Sequence, residues 1–258
     1  MTGQAVQLER KGRIGWITLN RPASINAINH EIRVGLPDAL RQADADSDIA
    51  VIAIRGAGER GFCAGADLKE ARQSKSILDT RKDVHSLAWI DAFDDVRKPL
   101  LAVIQGYCMG GGLEIAMACD IRIASPEAIF ALPEVGLGLI PAASGTQRLP
   151  RLIGLSRALD MMLLCERVDA RQALDCGLIT RLATSRETLE ADAAILAERL
   201  ADKPAQALAF AKEAARQAPD IDLAAGLRIE RDLFAMLRSA AHSEQTVIEV
   251  RSKSAAQG

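Results

Sequence analysis

The sequence predicts an α/β fold that gives way to helices at its C-terminal end. Two observations carry this reading. Short continuous apolar runs alternate with amphipathic segments through much of the chain, as expected for strands buried on both faces of a parallel sheet. From Ser185 onward the pattern is helical throughout. The length of 258 residues suits one large domain, or a core with a smaller appendage.

Taken in order, residues 14–19 read as a strand closed by Asn20-Arg21-Pro22. Residues 30–45 read as a helix, although Pro37 removes one of its hydrogen bonds. The run over residues 49–55 is apolar up to Arg55 and predicts a buried strand. A helix is expected at 76–95, a buried strand at 100–104, a short helix at 112–118, and strands at 121–124 and 128–130. Further helices are expected at 189–201, 204–217, 222–239 and 243–253, with Lys203-Pro204 and Ala218-Pro219-Asp220 as breaks. Leu223, Leu227, Phe234 and Leu237 fall on one helical face, suited to packing on the core or on a neighbouring subunit.

Composition narrows the function classes. Aromatic residues make up only 3%, so the core rests on Ala, Leu, Ile and Val. A net charge of -2 gives nothing that recruits nucleic acid or an acidic membrane surface. The five cysteines form no C-x-x-C pair, which points to reduced thiols in a cytoplasmic setting, and the three histidines lack zinc-ligand spacing. Residues 1–13 carry no apolar run, so no signal peptide is expected. Residues 99–119 approach a membrane span in length with Glu114 as their single charge, but four glycines and an opening proline favour strand, loop and buried helix. Neither G-x-G-x-x-G after the first strand nor G-x-x-x-x-G-K-[ST] occurs.

Three segments place glycines and carboxylates in apolar surroundings. In Gly61-Phe62-Cys63-Ala64-Gly65-Ala66-Asp67-Leu68-Lys69, Gly65 permits a turn that aims the Ala66 N–H into a cavity, with Asp67 placed to cap a helix. A plain strand-to-helix turn is the alternative. In Gly106-Tyr107-Cys108-Met109-Gly110-Gly111-Gly112-Leu113-Glu114, a strand runs through glycines into a helix, presenting free N–H groups and the positive end of a helix dipole. Such an end favours an anion or a developing oxyanion. Glu114 falls on the first helical turn, where an apolar setting raises its pKa; a purely dipolar role is the alternative. In Leu132-Pro133-Glu134-Val135-Gly136-Leu137-Gly138-Leu139-Ile140-Pro141, Glu134 is the one charge between Glu127 and Arg148, or else a loop glutamate held by backbone. Two carboxyls and two N–H donors in a dry site bring acyl-enolate chemistry within reach, and the residues alone go no further.

Together these segments resemble the enoyl-CoA hydratase/isomerase (crotonase-like) family. The resemblance runs from Leu19-Asn20-Arg21-Pro22 and Asn26-Ala27-Ile28 through Phe62 to Leu68, Lys98-Pro99, Gly106-Tyr107, Gly110 to Glu114, Ala118-Cys119-Asp120, Pro133-Glu134 and Gly138, to Ile140-Pro141 and Gly145-Thr146-Gln147-Arg148-Leu149-Pro150-Arg151. It implies a spiral of ββα units over residues 1–200 and a helical trimerisation region over 201–258. The quaternary state it implies is a trimer or dimer of trimers. It implies an acyl-CoA thioester substrate, with no metal or redox cofactor and no nucleic-acid or membrane partner. Residue by residue, Glu114 and Glu134 match the two catalytic glutamates, and the Ala66 and Gly111 N–H groups match the oxyanion hole. Asn26, Ala27, Ile28, Ala64, Ala66, Asp67, Leu68, Lys69, Gly110 and Gly111 match substrate-lining positions.

The implied reaction is hydration of a 2-enoyl-CoA. A Δ3-Δ2 enoyl-CoA isomerase or specialised acyl-CoA dehydratase of the family stays open, as does a non-catalytic RNA- or acyl-CoA-binding protein on the scaffold. A serine hydrolase lacks its G-x-S-x-G. Two departures from the family pattern stand out. Pro141-Ala142-Ala143-Ser144-Gly145 replaces a glycine-rich run, and the C-terminal segment lacks the family's aromatic and Glu-Lys-Arg ending.

Overall fold

The structure, a computed structural model, describes residues 4–70, 76, 78 and 86–255, without the side chains of 86–88 and 240–255. The chain forms two compact units, Met1–Asp202 and Lys203–Gly258.

In the first unit the strands are β1 (Val6–Lys11), β2 (Ile14–Leu19), β3 (Val51–Gly56), β4 (Gly61–Cys63), β5 (Leu100–Ile104), β6 (Tyr107–Met109), β7 (Ile121–Ala124), β8 (Ile129–Ala131), β9 (Val168–Asp169) and β10 (Arg181–Leu182). They build a six-stranded sheet in the order β1-β2-β3-β5-β7-β10 and a four-stranded sheet in the order β4-β6-β8-β9. β1 and β2 form an antiparallel hairpin, and β2, β3, β5, β7 and β10 run parallel. Three times the chain lays a strand in the large sheet and the next in the small one: β3 then β4, β5 then β6, β7 then β8. This mixed α/β architecture is the predicted class.

The continuous apolar runs now have a cause. Along a strand successive side chains face opposite ways. Ile52, Ile54, Leu100, Ala102 and Ile104 enter one core, whereas Val51, Ala53, Leu101 and Val103 enter another. The first core is closed by Ile32, Leu36, Ala39, Leu40 and Ala43 of α1 (His30–Ala45), which runs through Pro37 and is capped by the Asn29 side chain on the Ile32 N–H. Residues 51–54 and 100–104 are therefore covered on both faces and carry no polar side chain, and the half-buried Arg55, over Trp16 and paired with Glu190, ends the run in β3.

After β6 comes α2 (Gly111–Ala118), buried from Gly112 to Ala118 and packed against β4 and β6. The buried Arg122 secures its far end, donating to the Ala116 and Cys119 carbonyls at 3.3 and 2.7 Å and to Leu178 at 2.7 Å. α3 (Gly145–Ile153), α4 (Leu155–Leu163) and α5 (Ala170–Asp175) follow. The second core is closed by α6 (Leu189–Ala201), through Leu189, Ala193, Ala197 and Ala201 at every fourth position.

In the second unit, α7 (Ala205–Gln217) follows Pro204, and α8 (Leu223–Ala255) follows the break at 218–220. Leu223, Leu227, Phe234 and Leu237 line a groove of about 450 Å³ between these two helices.

The structure departs from the sequence reading in several places. α8 continues through residues 239–243, where a break was expected. Ala240, Ala241 and His242 contain neither glycine nor proline, and nothing there interrupts a helix. The helix expected at 76–95 lies partly outside the described residues, and Ser86–Phe93 is a 3-10 helix. β1, α3, α4 and α5 were not foreseen. β1 is an edge strand whose residues after Val6 are mostly exposed, so its pattern carries no core signature.

The approach of α2 to β4 has no slack. A methyl group added at Gly112 would lie 2.4 Å from the Cys63 carbonyl oxygen and 2.7 Å from its Cβ. Gly112→Ala is therefore expected to cost about 1–3 kcal/mol in urea unfolding; a stability equal to the parent's would contradict this packing.

Candidate active site

The site assembles where two glycine turns meet. Ile28 and Ala66 form an isolated parallel bridge, in which the Ile28 N–H donates to the Gly65 carbonyl at 2.8 Å and the Asp67 N–H to the Ile28 carbonyl at 3.0 Å. This geometry leaves the Ala66 N–H unused. Gly110 precedes α2 at φ 52 and ψ -125, a backbone region reserved for glycine, and its own N–H donates to Ala131 at 2.9 Å. Among the described residues, neither the Ala66 nor the Gly111 N–H has an acceptor. The two loops are close: a methyl group added at Gly111 would stand 3.9 Å from the Ala66 nitrogen and 3.8 Å from Glu114 Oε2, and one at Gly65 would stand 3.4 Å from the Gly111 nitrogen.

Glu114 lies on the first turn of α2 and is 3% exposed. Its Oε1 accepts from the Ala143 N–H at 2.8 Å and the Gly145 N–H at 2.7 Å. Those amides flank Ser144, which holds φ 84, so two alternate N–H groups converge on one oxygen in the manner of an anion nest. Burial pushes the carboxyl up to about 7; the Gly145 N–H works against that rise, the nearby Glu134 adds to it, and the Ala143 N–H again opposes it. Oε2 remains on the side of Gly111 and Ala66.

Glu134 opens a 3-10 turn, Glu134–Leu137, after Pro133. Its Oε1 would lie 2.6 Å from a methyl group at Gly110, so this carboxyl touches the same glycine turn. Oε2 is buried with no hydrogen-bond partner among the described residues. Burial raises its pKa as well. Burial thus disfavours charge on both carboxyls, and the nearby Glu134 adds to the rise at Glu114.

The remaining sequence candidates divide by exposure. Ala64, Ala66, Leu68 and Lys69 are exposed, Asp67 is half-buried, and Ala27 and Ile28 are buried. Asp67 pairs with Arg21 at 2.8 Å, and that guanidinium holds its carboxyl below the usual range. The Asp67 side chain also accepts from Lys69 N–H; the helix it was expected to cap falls outside the described residues. Asn26 is fully buried at φ 55. Its amide donates to Ala57, Gly61 and Phe62 carbonyls at 3.0, 3.2 and 3.1 Å and accepts from the Arg21 N–H at 2.9 Å. Its side chain braces the loop through these four hydrogen bonds.

Sequence reasoning missed the Ala143 and Gly145 amides as partners of Glu114. The run Pro141 to Gly145 had registered only as a departure from a glycine-rich pattern. No group of three His, Cys, Asp or Glu able to hold a metal ion is found among the described residues. Nor is any described helix long and apolar enough to cross a membrane.

Known proteins resemble this chain over nearly its whole length. The family model described as enoyl-CoA hydratase/isomerase matches residues 9–255. The chain is 39% identical over 237 residues to a probable enoyl-CoA hydratase of Rhizobium meliloti, covering 92% of this chain and 91% of that protein. It is 41% identical over 232 residues to the 2,3-dehydroadipyl-CoA hydratase of Escherichia coli, covering 89% of each. The crystal structure of an enoyl-CoA hydratase from Bacillus anthracis superposes with a TM-score of 0.84 at 34% identity, covering 90% of each chain.

The raised carboxyl has a consequence for stability. Between the ordinary 4.5 and about 7, folded Glu114 binds more proton than the unfolded chain does. Its contribution is thus full below pH 4.5 and lost as pH rises through 7. Urea unfolding should show a decline of up to about 3 kcal/mol from this group across that window, and Glu114→Gln should flatten it. An unchanged slope in the variant would contradict the assignment.

Proposed function

The chain belongs to the enoyl-CoA hydratase/isomerase family and is an enoyl-CoA hydratase; from that premise we propose that Glu114 and Glu134 divide the addition of water across the α,β double bond of a 2-enoyl-CoA thioester. Glu114 Oε2 accepts a proton from the water whose oxygen bonds to Cβ. The π electrons move onto the thioester as an enolate. The Ala66 and Gly111 N–H groups hold that enolate oxygen. Glu134, protonated, gives its proton to Cα and restores the carbonyl. The observation that carries this reading is the convergence of the two unused amides, the buried Glu114 carboxyl and the half-buried Glu134 carboxyl on one glycine turn.

The division of labour follows from the hydrogen bonds. Two amides on Oε1 favour the anion at Glu114 and fix its orientation, leaving Oε2 as the basic atom. Glu134 Oε2 has no donor and burial raises the carboxyl's pKa against the opposing pull of its own backbone N–H, which supports its reading as the group that carries a proton. Each oxyanion donor contributes on the order of 3 kcal/mol to transition-state stabilisation. The loop of Asn26, Ala27 and Ile28, with Ala64 to Lys69, lines the coenzyme-A side in this reading, Asn26 acting as its brace. No cofactor beyond the coenzyme A of the substrate takes part.

We further propose a homo-oligomer, a trimer or dimer of trimers, built through the helical region from residue 201 and working in the cytoplasm. The apolar groove of α7 and α8, with Phe234 61% exposed, supports the first point, and five free cysteines support the second.

Loss of the enoyl-thioester absorbance with crotonyl-CoA tests the reaction. Glu114→Gln and Glu134→Gln should each lower kcat at least ~100-fold with thioester binding largely kept. The parent's rate should rise with pH through a limb near 7, where Glu114 ionises. Conversion of a 3-enoyl-CoA with crotonyl-CoA untouched would instead identify an isomerase.

A further inference from the structure

Ser144 sits in a conformation that disfavours a side chain. It holds φ 84 and ψ -1, and the two amides beside it are those that grip Glu114 Oε1. A glycine would adopt this backbone at no cost, but a serine needs something to hold it there. That hold is visible. Arg148, one turn along α3, donates from Nε to Ser144 Oγ at 2.9 Å. The Nη2 of the same guanidinium donates to both oxygens of Asp94, at 2.8 and 2.7 Å. Arg148 is only 23% exposed in its side chain, so its orientation is defined by these two partners. The Ser144 carbonyl in turn accepts from Gln147 and Arg148 N–H groups at 3.0 and 2.8 Å, which anchors the residue to the first turn of α3.

We propose that Asp94, Arg148 and Ser144 form a positioning relay for the catalytic base: Asp94 orients Arg148, Arg148 pins the Ser144 hydroxyl, and the pinned backbone aims the Ala143 and Gly145 amides at Glu114. None of the three touches the reacting atoms. Their effect is transmitted through the two hydrogen bonds on Oε1, which decide where Oε2 points. Loosening the nest weakens donors that oppose the rise of the carboxyl's pKa, and the ionising limb then moves to higher pH. The charged group that faces Glu114 across the site is Glu134, whose repulsion acts in the same direction. This proposal rests on the reading of Glu114 as the base.

Ser144→Ala and Ser144→Gly separate the hydroxyl from the backbone strain. Alanine keeps the unfavourable φ and loses the pin; glycine loses the pin but needs none. With crotonyl-CoA, Ser144→Ala should lower kcat about 10-fold, leave KM within about twofold, and move the limb near 7 upward by about 0.5 to 1 pH unit. Ser144→Gly should recover most of the lost rate and bring the limb back. Asp94→Asn should shift both readouts in the same direction as Ser144→Ala by a smaller amount, and decides the question should Ser144→Ala fail to fold. A parental rate and pH profile in Ser144→Ala overturns the relay, as does equal impairment in Ser144→Gly, or a loss of stability with the limb unmoved. Glu114→Gln, run alongside, tells the two readings apart. Activity kept in that variant removes the base and the relay together, whereas activity lost there with a parental Ser144→Ala removes only the relay.

Discussion

The structure depends on one constraint: a carboxyl must be kept almost free of water and still be able to ionise. A buried carboxylate with no partner is far too costly, and one with too many partners is no longer a base. Glu114 lies between these limits. It is 3% exposed, and only one of its two oxygens is gripped, by a pair of backbone amides. Those amides oppose the desolvation that pushes it up to about 7, and the other oxygen stays available. Amides are the appropriate donors. They do not titrate near neutral pH and carry no net charge that would drag the carboxyl back to its ordinary range.

Much of the first unit serves to place that one side chain. α2 begins with a glycine turn, where an added side chain would meet backbone, a carboxyl or Ile28, and it ends on a buried arginine that donates to the Ala116 and Cys119 carbonyls. The parallel strands β5 and β6 deliver the turn, and β3 and β4 deliver the loop with Ala66. The crossing from large sheet to small sheet is repeated, and the two loops with unused amides come close together. The core under them is double-sided, because residues 51–54 of β3 and all of β5 pack against one face or the other. The Arg21, Asn26 and Asp67 network fixes the loop on the outer side without offering it a reactive group.

The sequence made the two glutamates legible, because a charge among glycines and apolar residues is costly unless used. It also made the buried strands legible: unbroken apolar runs such as residues 51–54 signal burial on both faces. What it hid were features set by pairing across distance. Arg148 and Asp94 are 54 positions apart, and nothing local marks them as partners. Asn26 matched a ligand-lining position, yet its amide is spent on three carbonyls, a fact that only the packed loop reveals. The positive φ of Ser144 runs against its residue type, so propensity pointed away from it. The amides of Ala143 and Gly145 belong to every residue equally and have no sequence signature at all. α8 shows the opposite failure: a break was inferred where Ala240, Ala241 and His242 give a helix no reason to stop.

The most direct measurement is a carbon-13 NMR titration of the glutamate side-chain carboxyls in the intact protein, with Glu114→Gln identifying the resonance. A carboxyl titrating at about 7 is what this arrangement of burial, amides and a neighbouring acid predicts. A value near the ordinary 4.5 would show a solvated, unremarkably placed glutamate, and the account of the site built on its burial would be wrong.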